Sequence, residues 1–175
     1  MKYLEKIAGE KITISLLYSL GFAFIIRCTA LLLMGELYLP DSIDYFVDGK
    51  HLFNEGYILG HKYMPLYSII SYLAGGGIGL QIFDIIISTL TVWLVFLITF
   101  KLSGNMSAAT IASVIMAIYP HFVFYSIAKL SETLYLFLTC WAFLLLYRNN
   151  LVGGGVLLII SIFTRPTIYP FAPIL

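Results

Sequence analysis

Long apolar runs alternate with short polar segments along most of this chain. An α-helix needs about 20 apolar residues to cross the hydrocarbon core of a bilayer. The runs predict membrane-spanning helices over residues 12–35, 81–100, 107–125, 130–147 and 151–163. They are joined by short polar turns, which favours a bundle of antiparallel neighbours.

Two segments depart from this pattern. Residues 65–80 form a short apolar stretch with three consecutive glycines, so we expect a half-inserted or surface-lying helix there. Residues 36–64 form the one long polar segment, which we expect to be an external loop. Within it, residues 41–55 carry carboxylates at spacings of three, four and seven and apolar residues on another face. This predicts an amphipathic helix in the interfacial plane, with a water-facing acidic stripe made of Asp41, Asp44, Asp48 and Glu55.

Composition agrees with a bilayer environment. The 175 residues are 61% hydrophobic and 11% charged, with a mean hydropathy of +0.96, whereas a soluble domain carries about 25% charged residues. A net charge of +1 argues against a nucleic-acid-binding surface. Cys28 and Cys140 lie in apolar runs without metal-ligand spacing, which indicates small buried residues rather than a zinc site. We therefore expect one all-α membrane module over residues 1–175.

The positive charges predict its orientation. Lysines at positions 2, 6 and 11 precede the first apolar run, which is too long for a signal peptide and has no cleavage site after it. Lysine and arginine favour the cytoplasmic side. A cytoplasmic N-terminus places Lys101 and Arg148 in the cytoplasm too, provided that residues 65–80 do not cross. We expect a multi-pass protein of the cell (inner) membrane whose acidic loop is external.

Several ionisable residues fall toward the outer ends of the predicted spans. Such residues are costly in a bilayer and are often functional. Arg27 and Arg165 could instead extend to the interface, and Lys129 could pair with Glu132 three residues later. We interpret Asp84 as a plain interfacial residue.

Together, these outer charges suit a site where an anionic lipid headgroup meets a hydroxyl or amine acceptor. The arginines would hold phosphate oxygens, one carboxylate would take a proton from the acceptor, and a second could bind a divalent cation. His51 and His61 are weaker candidates for metal ligands. A solvated helix with Asp41 as its N-cap is the structural alternative.

Four ordered segments resemble membrane glycosyltransferases of the GT-C fold, closest to dolichyl-phosphate-mannose protein mannosyltransferases and lipid A aminoarabinose transferases. The first, PDSIDYFVDGKHLFNEGY, resembles their first external loop. YMPLYSIIS resembles the Pro-Leu-Tyr element that follows it, and FTRPT resembles a later Arg-Pro element. The matching positions of the loop and of the element at 119–138 are Asp41, Tyr45, Gly49, Gly56, Pro120, Ser126 and Glu132.

This resemblance implies a polytopic GT-C bundle that moves a hexosyl or pentosyl group from a polyprenyl-phosphate donor on the external or periplasmic face. It implies Asp41 as the catalytic base or the acceptor-binding carboxylate, preferred over Asp44 by the spacing to Tyr45, and we take it as the base. Glu132 is implied as a second acid of the same pocket, and the two carboxylates are the candidates for a Mg²⁺ or Mn²⁺ site. The candidate substrate-binding residues are Asp44, Tyr45, Arg27, Arg165 and Lys62.

Members of this family have more transmembrane helices and often a soluble C-terminal domain, whereas this sequence stops at PFAPIL. We therefore expect a fragment, a truncated form, or one half of an assembly in which another membrane subunit supplies the missing helices. The alternative from a different class is a non-catalytic membrane module that binds a lipid-phosphate headgroup as a subunit of a larger complex. A transporter fits less well, since no inverted repeats are visible.

Overall fold

A computed structural model describes residues 2–57 and 64–165, with side chains from residue 14 onward. Within these ranges the chain forms eight α-helices and no strand, which confirms the all-α class. The helices are α1 (Lys2–Met34), α2 (Pro40–Glu55), α3 (Pro65–Leu73), α4 (Gly77–Ser103), α5 (Met106–Ile118), α6 (Pro120–Tyr125), α7 (Ser131–Tyr147) and α8 (Leu151–Ile162).

Local sequence explains where these helices begin. Pro40, Pro65 and Pro120 each stand at a first helical position, where the missing N–H costs no hydrogen bond. The side chains of Asn105 and Asn150 accept backbone N–H bonds at the starts of α5 and α8. The predicted N-cap role of Asp41 is wrong, because the residue capping α2 is Leu39 and Asp41 lies in the first turn.

Two predicted elements differ from the structure. The predicted span 107–125 is broken into α5 and α6 at Pro120, which cannot donate the hydrogen bond that a continuous helix needs. Residues 65–80 contain α3, then a tight turn in which Gly75 and Gly76 have φ of +77° and +70°, and then the start of α4. Glycine adopts these angles without steric cost, so the turn ends α3 and allows α4 to begin at Gly77.

Two helices are long and apolar enough to cross a bilayer by length and composition. They are residues 14–34 of α1, with a mean hydropathy of 2.0, and the whole of α4, with a mean hydropathy of 2.3. The helices α5, α7 and α8 are apolar but shorter. The two long helices indicate association with a membrane.

Hydrogen bonds show which helix ends meet. At one end, the Gln81 side chain donates to the carbonyl oxygens of Gly35 (3.3 Å) and Ile127 (2.8 Å), joining the end of α1, the start of α4 and the α6–α7 turn. At the opposite end, the Tyr147 hydroxyl donates to the Lys101 carbonyl oxygen at 3.2 Å. The end of α1 therefore meets the start of α4, and α4 and α7 both begin at this end of the bundle and run in the same direction.

The interior of the bundle contains polar as well as apolar residues, and its surface carries many apolar side chains. Arg27, Gln81 and Asp84 are fully buried, whereas Leu32 and Leu33 are more than 80% exposed. Extended exposed apolar surface marks contact with a membrane or a partner protein. This distribution agrees with the membrane association that the two long helices indicate.

Candidate functional site

The acidic loop helix α2 packs against the bundle through its polar face. Its buried residues are Ser42, Tyr45, Asp48 and Gly49, while Asp41 and Asp44 are exposed. The predicted solvated position of Asp48 is therefore wrong, because its side chain is only 4% exposed. Several apolar residues of α2 face outward instead, namely Ile43, Val47 and Phe53.

Tyr45 anchors this helix. Its hydroxyl forms a buried hydrogen bond of 2.9 Å with Ser131 Oγ, at the first residue of α7. Its ring packs edge-on against Tyr67 of α3, with the ring centres 4.9 Å apart. These contacts set the loop helix against the start of α7, directly beside Glu132.

The charges around Tyr45 identify its neighbours. Burial raises the pKa of the Tyr45 phenol above its usual value, and the hydrogen bond with Ser131 opposes this shift. The negative charges of Glu132 and Asp41 raise that pKa further, and the positive charge of Arg165 lowers it. The two predicted catalytic carboxylates and one predicted phosphate-binding arginine thus act on the same phenol.

Glu132 is paired with Arg165. Its carboxylate Oε1 contacts Arg165 Nη1, and both side chains are partly exposed. Burial acts to lower the Arg165 pKa, but the Glu132 carboxylate outweighs it and the pKa rises. This ion pair joins the first turn of α7 to the end of α8.

The predicted pairing of Lys129 with Glu132 is wrong. The Lys129 ammonium lies 3.3 Å from Glu36 Oε1 and 3.9 Å from the centre of the Tyr38 ring, a cation–π contact. A hydrogen bond with Tyr38 lowers the pKa of Glu36, burial opposes this, and Lys129 lowers it further. Lys129 therefore fastens the segment after α1 to the α6–α7 turn.

Arg27 occupies a separate position in the interior. Its Nε donates to Ser88 Oγ at 2.7 Å, and its Nη1 donates to the carbonyl oxygens of Ala23 (3.0 Å) and Ala117 (3.3 Å). Nη2 has no hydrogen-bond partner among the described residues. The interpretation that Arg27 extends to the interface is wrong, and its partners lie in α1, α4 and α5 rather than beside Glu132.

Asp84 is also buried, so its predicted interfacial role is wrong. The Tyr67 hydroxyl donates to Asp84 Oδ2 at 2.6 Å, while Oδ1 has no partner within the described part of the chain. The sequence does contain a pattern that indicates a buried position for Asp84. Positions 81, 84, 88 and 91 are all polar, and spacings of three, four and three place them on one face of a membrane-length helix.

The carboxylates and histidines predicted as metal ligands lie in different surroundings. Glu132 Oε1 is engaged by the Arg165 guanidinium, and residues 14–57 and 64–165 contain no cluster of three or more metal-ligating side chains. His51 Nδ1 lies 3.1 Å from Glu55 Oε1. His61 and Lys62 lie outside the described residues. The metal site stays a prediction.

A cavity of about 190 Å³ opens beside Glu132. It lies between α4, the end of α5, α6 and α7. Its lining residues are Ser88, Thr91, Met116, His121, Phe122, Tyr125, Glu132, Thr133, Tyr135 and Leu136. Glu132, the acid of the ion pair, is therefore one of the residues that line a partly open cavity between the helices.

Comparison of the chain with protein-family models, with curated proteins and with solved structures found no match.

Proposed function

We propose that this chain is a membrane glycosyltransferase module of the GT-C type, which transfers a sugar from a polyprenyl-phosphate donor to an acceptor on the external face. The observation that supports this most directly is the Tyr45–Ser131 hydrogen bond. It holds the acidic loop helix against the start of α7, and the charges of Asp41, Glu132 and Arg165 all act on the Tyr45 phenol. A base and a phosphate-binding cation in one place are what such a transfer needs.

Each group has a distinct role in the proposed reaction. The Arg165 guanidinium binds phosphate oxygens of the donor and stabilises the charge that develops as the lipid phosphate leaves. The exposed Asp41 carboxylate takes the proton of the acceptor hydroxyl as its oxygen attacks the anomeric carbon. The bond from that carbon to the phosphate oxygen breaks, and the configuration is inverted. Glu132 orients Arg165 through their ion pair.

We also propose a multi-pass arrangement with a cytoplasmic N-terminus. Lys101 and Arg148 lie at the end of the bundle opposite Glu132, since Tyr147 bonds to the Lys101 carbonyl oxygen and Arg148 follows Tyr147. Basic residues in short loops favour the cytoplasmic side. The Glu132 end is then external, where a lipid-linked donor would meet an external acceptor.

The test is sugar transfer by the full chain in liposomes that contain sugar-bearing polyprenyl phosphates. We expect Asp41→Asn to lower the rate by at least about a hundredfold, as for loss of a general base. Glu55→Gln is the matched control, because Glu55 is an exposed carboxylate on the same helix. Full activity of Asp41→Asn would refute the base assignment.

A second result would favour the alternative function. If the wild-type chain binds polyprenyl phosphate but transfers nothing, with or without a partner that supplies further helices, it is a headgroup-binding subunit. In that case Arg165→Gln would weaken lipid-phosphate binding and Asp41→Asn would leave it unchanged.

A further inference from the structure

We propose that the cavity beside Glu132 holds the sugar ring of the lipid-linked donor. This inference rests on the proposed function, because it assigns the sugar to a place next to the phosphate-binding Arg165. The proposed sugar site includes residues of α4 and α6 that were not among the candidates predicted from the sequence. The cavity contacts Glu132 at its edge and Ser88 and Thr91 on the α4 side.

The size of the cavity fits one ring. Pockets for drug-sized ligands measure about 300–1,000 Å³, whereas this cavity measures about 190 Å³. A single hexose or pentose ring fits a space of this size. The partly exposed Glu132–Arg165 pair leaves room for the attached phosphate outside the cavity.

The buried wall on α4 supplies hydrogen bonds suited to sugar hydroxyls. Ser88 Oγ accepts from Arg27 Nε, and its own hydrogen is used by no other bond among the described residues, so it can donate to a ligand. The Thr91 hydroxyl donates to the Ile87 carbonyl oxygen at 2.9 Å, so its oxygen can accept from a ligand. A donor and an acceptor one turn apart match the adjacent hydroxyls of a sugar.

Aromatic rings and a carboxylate form the other walls. The His121 and Tyr125 rings lie 4.5 Å apart, edge to face, and Phe122 lies beside them. A sugar ring has an apolar C–H face and a polar rim, so it packs its face on aromatic carbons and turns its hydroxyls toward polar groups. Glu132 accepts from a hydroxyl at the rim.

The larger groove between α1 and α5 differs from the cavity beside Glu132 in how its hydroxyl groups are bonded. That groove measures about 640 Å³ and also contains hydroxyl groups. These bond to one another, Ser15 with Thr110 at 2.7 Å and Ser113 with Ser19 at 3.1 Å, so an apolar chain can lie there without cost. In the cavity beside Glu132, the hydrogen of the Ser88 hydroxyl is used by no bond among the described residues, so an isoprene unit there would forgo a hydrogen bond that a sugar hydroxyl can accept.

The experiment measures binding of the full chain in lipid nanodiscs to C55 polyprenyl phosphate and to its mannosyl, glucosyl and arabinosyl derivatives. The quantity of interest is the ratio of affinities for the sugar-bearing and the bare lipid. We expect the wild type to bind at least one derivative about tenfold more tightly than the bare lipid. Ser88→Ala and Tyr125→Leu should bring that ratio close to one and leave the affinity for the bare lipid unchanged.

Two variants are needed because Ser88→Ala also removes a partner of the buried Arg27. Tyr125→Leu keeps the test valid if the Ser88 variant does not fold. The matched control is Tyr119→Leu, an exposed tyrosine that precedes α6 and does not line the cavity. It should retain the wild-type ratio.

The outcomes separate this inference from the proposed function. A ratio near one for the wild type with every derivative, or a wild-type ratio that survives in both cavity variants, would overturn the cavity assignment. If the ratio survives in both cavity variants and the chain transfers sugar, the proposed transferase function stands and only the cavity assignment is lost. Loss of the ratio in both variants of a chain that transfers nothing would support the cavity assignment and refute the transferase proposal.

Discussion

Gly49 is a point of close approach between α2 and α3. A Cβ atom at this position would overlap the Ser68 carbonyl oxygen and would lie 2.8 Å from Tyr72 Cβ and 2.9 Å from the Ser68 carbonyl carbon. Two of these three atoms belong to the backbone, so no change of rotamer relieves the overlap. Gly49→Ala must therefore push the two helices apart.

The expected cost follows from two opposing effects. Overpacking a closely packed contact costs about 1–3 kcal/mol, and a backbone obstacle places Gly49→Ala near the upper limit. Alanine in place of glycine inside a helix stabilises the helix by about 0.5–1 kcal/mol. We expect a net loss of about 2 kcal/mol, which lowers the thermal midpoint of a chain of this size by about 4–8 °C.

The control is the same substitution where space is available. A Cβ at Gly21 of α1 meets no atom within 4 Å, so Gly21→Ala should gain about 0.5–1 kcal/mol from helix propensity alone. The assay is thermal unfolding of the full chain in one detergent, followed by far-UV circular dichroism and by size-exclusion chromatography. A Gly49→Ala protein that unfolds at or above the wild-type temperature would refute the close approach.

The same substitution should affect the site. The helix that carries Gly49 also carries Tyr45, whose hydroxyl bonds to Ser131 at 2.9 Å. Moving α2 away from α3 lengthens or breaks this bond. We expect Gly49→Ala to reduce sugar transfer at temperatures where the chain is still folded, and Gly21→Ala to leave it unchanged.

Three further substitutions test separate contacts. Glu36→Gln should make the stability of the folded chain less sensitive to acid. The pKa of Glu36 is lowered in the folded state, so the stability that its carboxylate contributes is present above pH 4.5 and is lost as the pH falls through the lowered pKa. An unchanged profile of stability against pH below 4.5 would contradict this. Arg165→Gln breaks a partly exposed ion pair with Glu132 and should change stability by less than about 1 kcal/mol, while binding of polyprenyl phosphate falls more than about tenfold. Equal binding by both proteins would rule out Arg165 as the phosphate ligand. Tyr67→Phe leaves the buried Asp84 without its hydrogen bond and should cost about 1–3 kcal/mol. A double-mutant cycle with Asp84→Leu measures that coupling, and simple additivity would disprove it.

The helical class and the approximate positions of the helices could be predicted from the sequence, because both depend on local properties. A long apolar run is stable in a bilayer only as a helix, since every backbone group must find its partner within the segment. The break at Pro120 was equally local, and the missing N–H of proline could have predicted it. The helix in the acidic loop could also be predicted, because the periodic spacing of its residues is local, and α2 occupies this segment.

The position of each polar side chain within the bundle was decided only by the tertiary structure. Asp48 and Asp84 both looked like surface residues, yet both are buried. Arg27 finds its partner Ser88 61 positions away, and Tyr45 finds Ser131 86 positions away. Such pairs depend on the rotation and relative depth of whole helices.

The sequence by itself determined that this chain is helical and apolar, that it carries one acidic loop, and that Glu132 and Arg165 are unusual charges near the ends of apolar runs. Only the tertiary structure paired Glu132 with Arg165, brought Tyr45 to the start of α7 and opened a cavity beside them. The physical reason is that hydrophobic periodicity is a property of one segment, whereas a site is formed by contacts between segments that are distant in sequence.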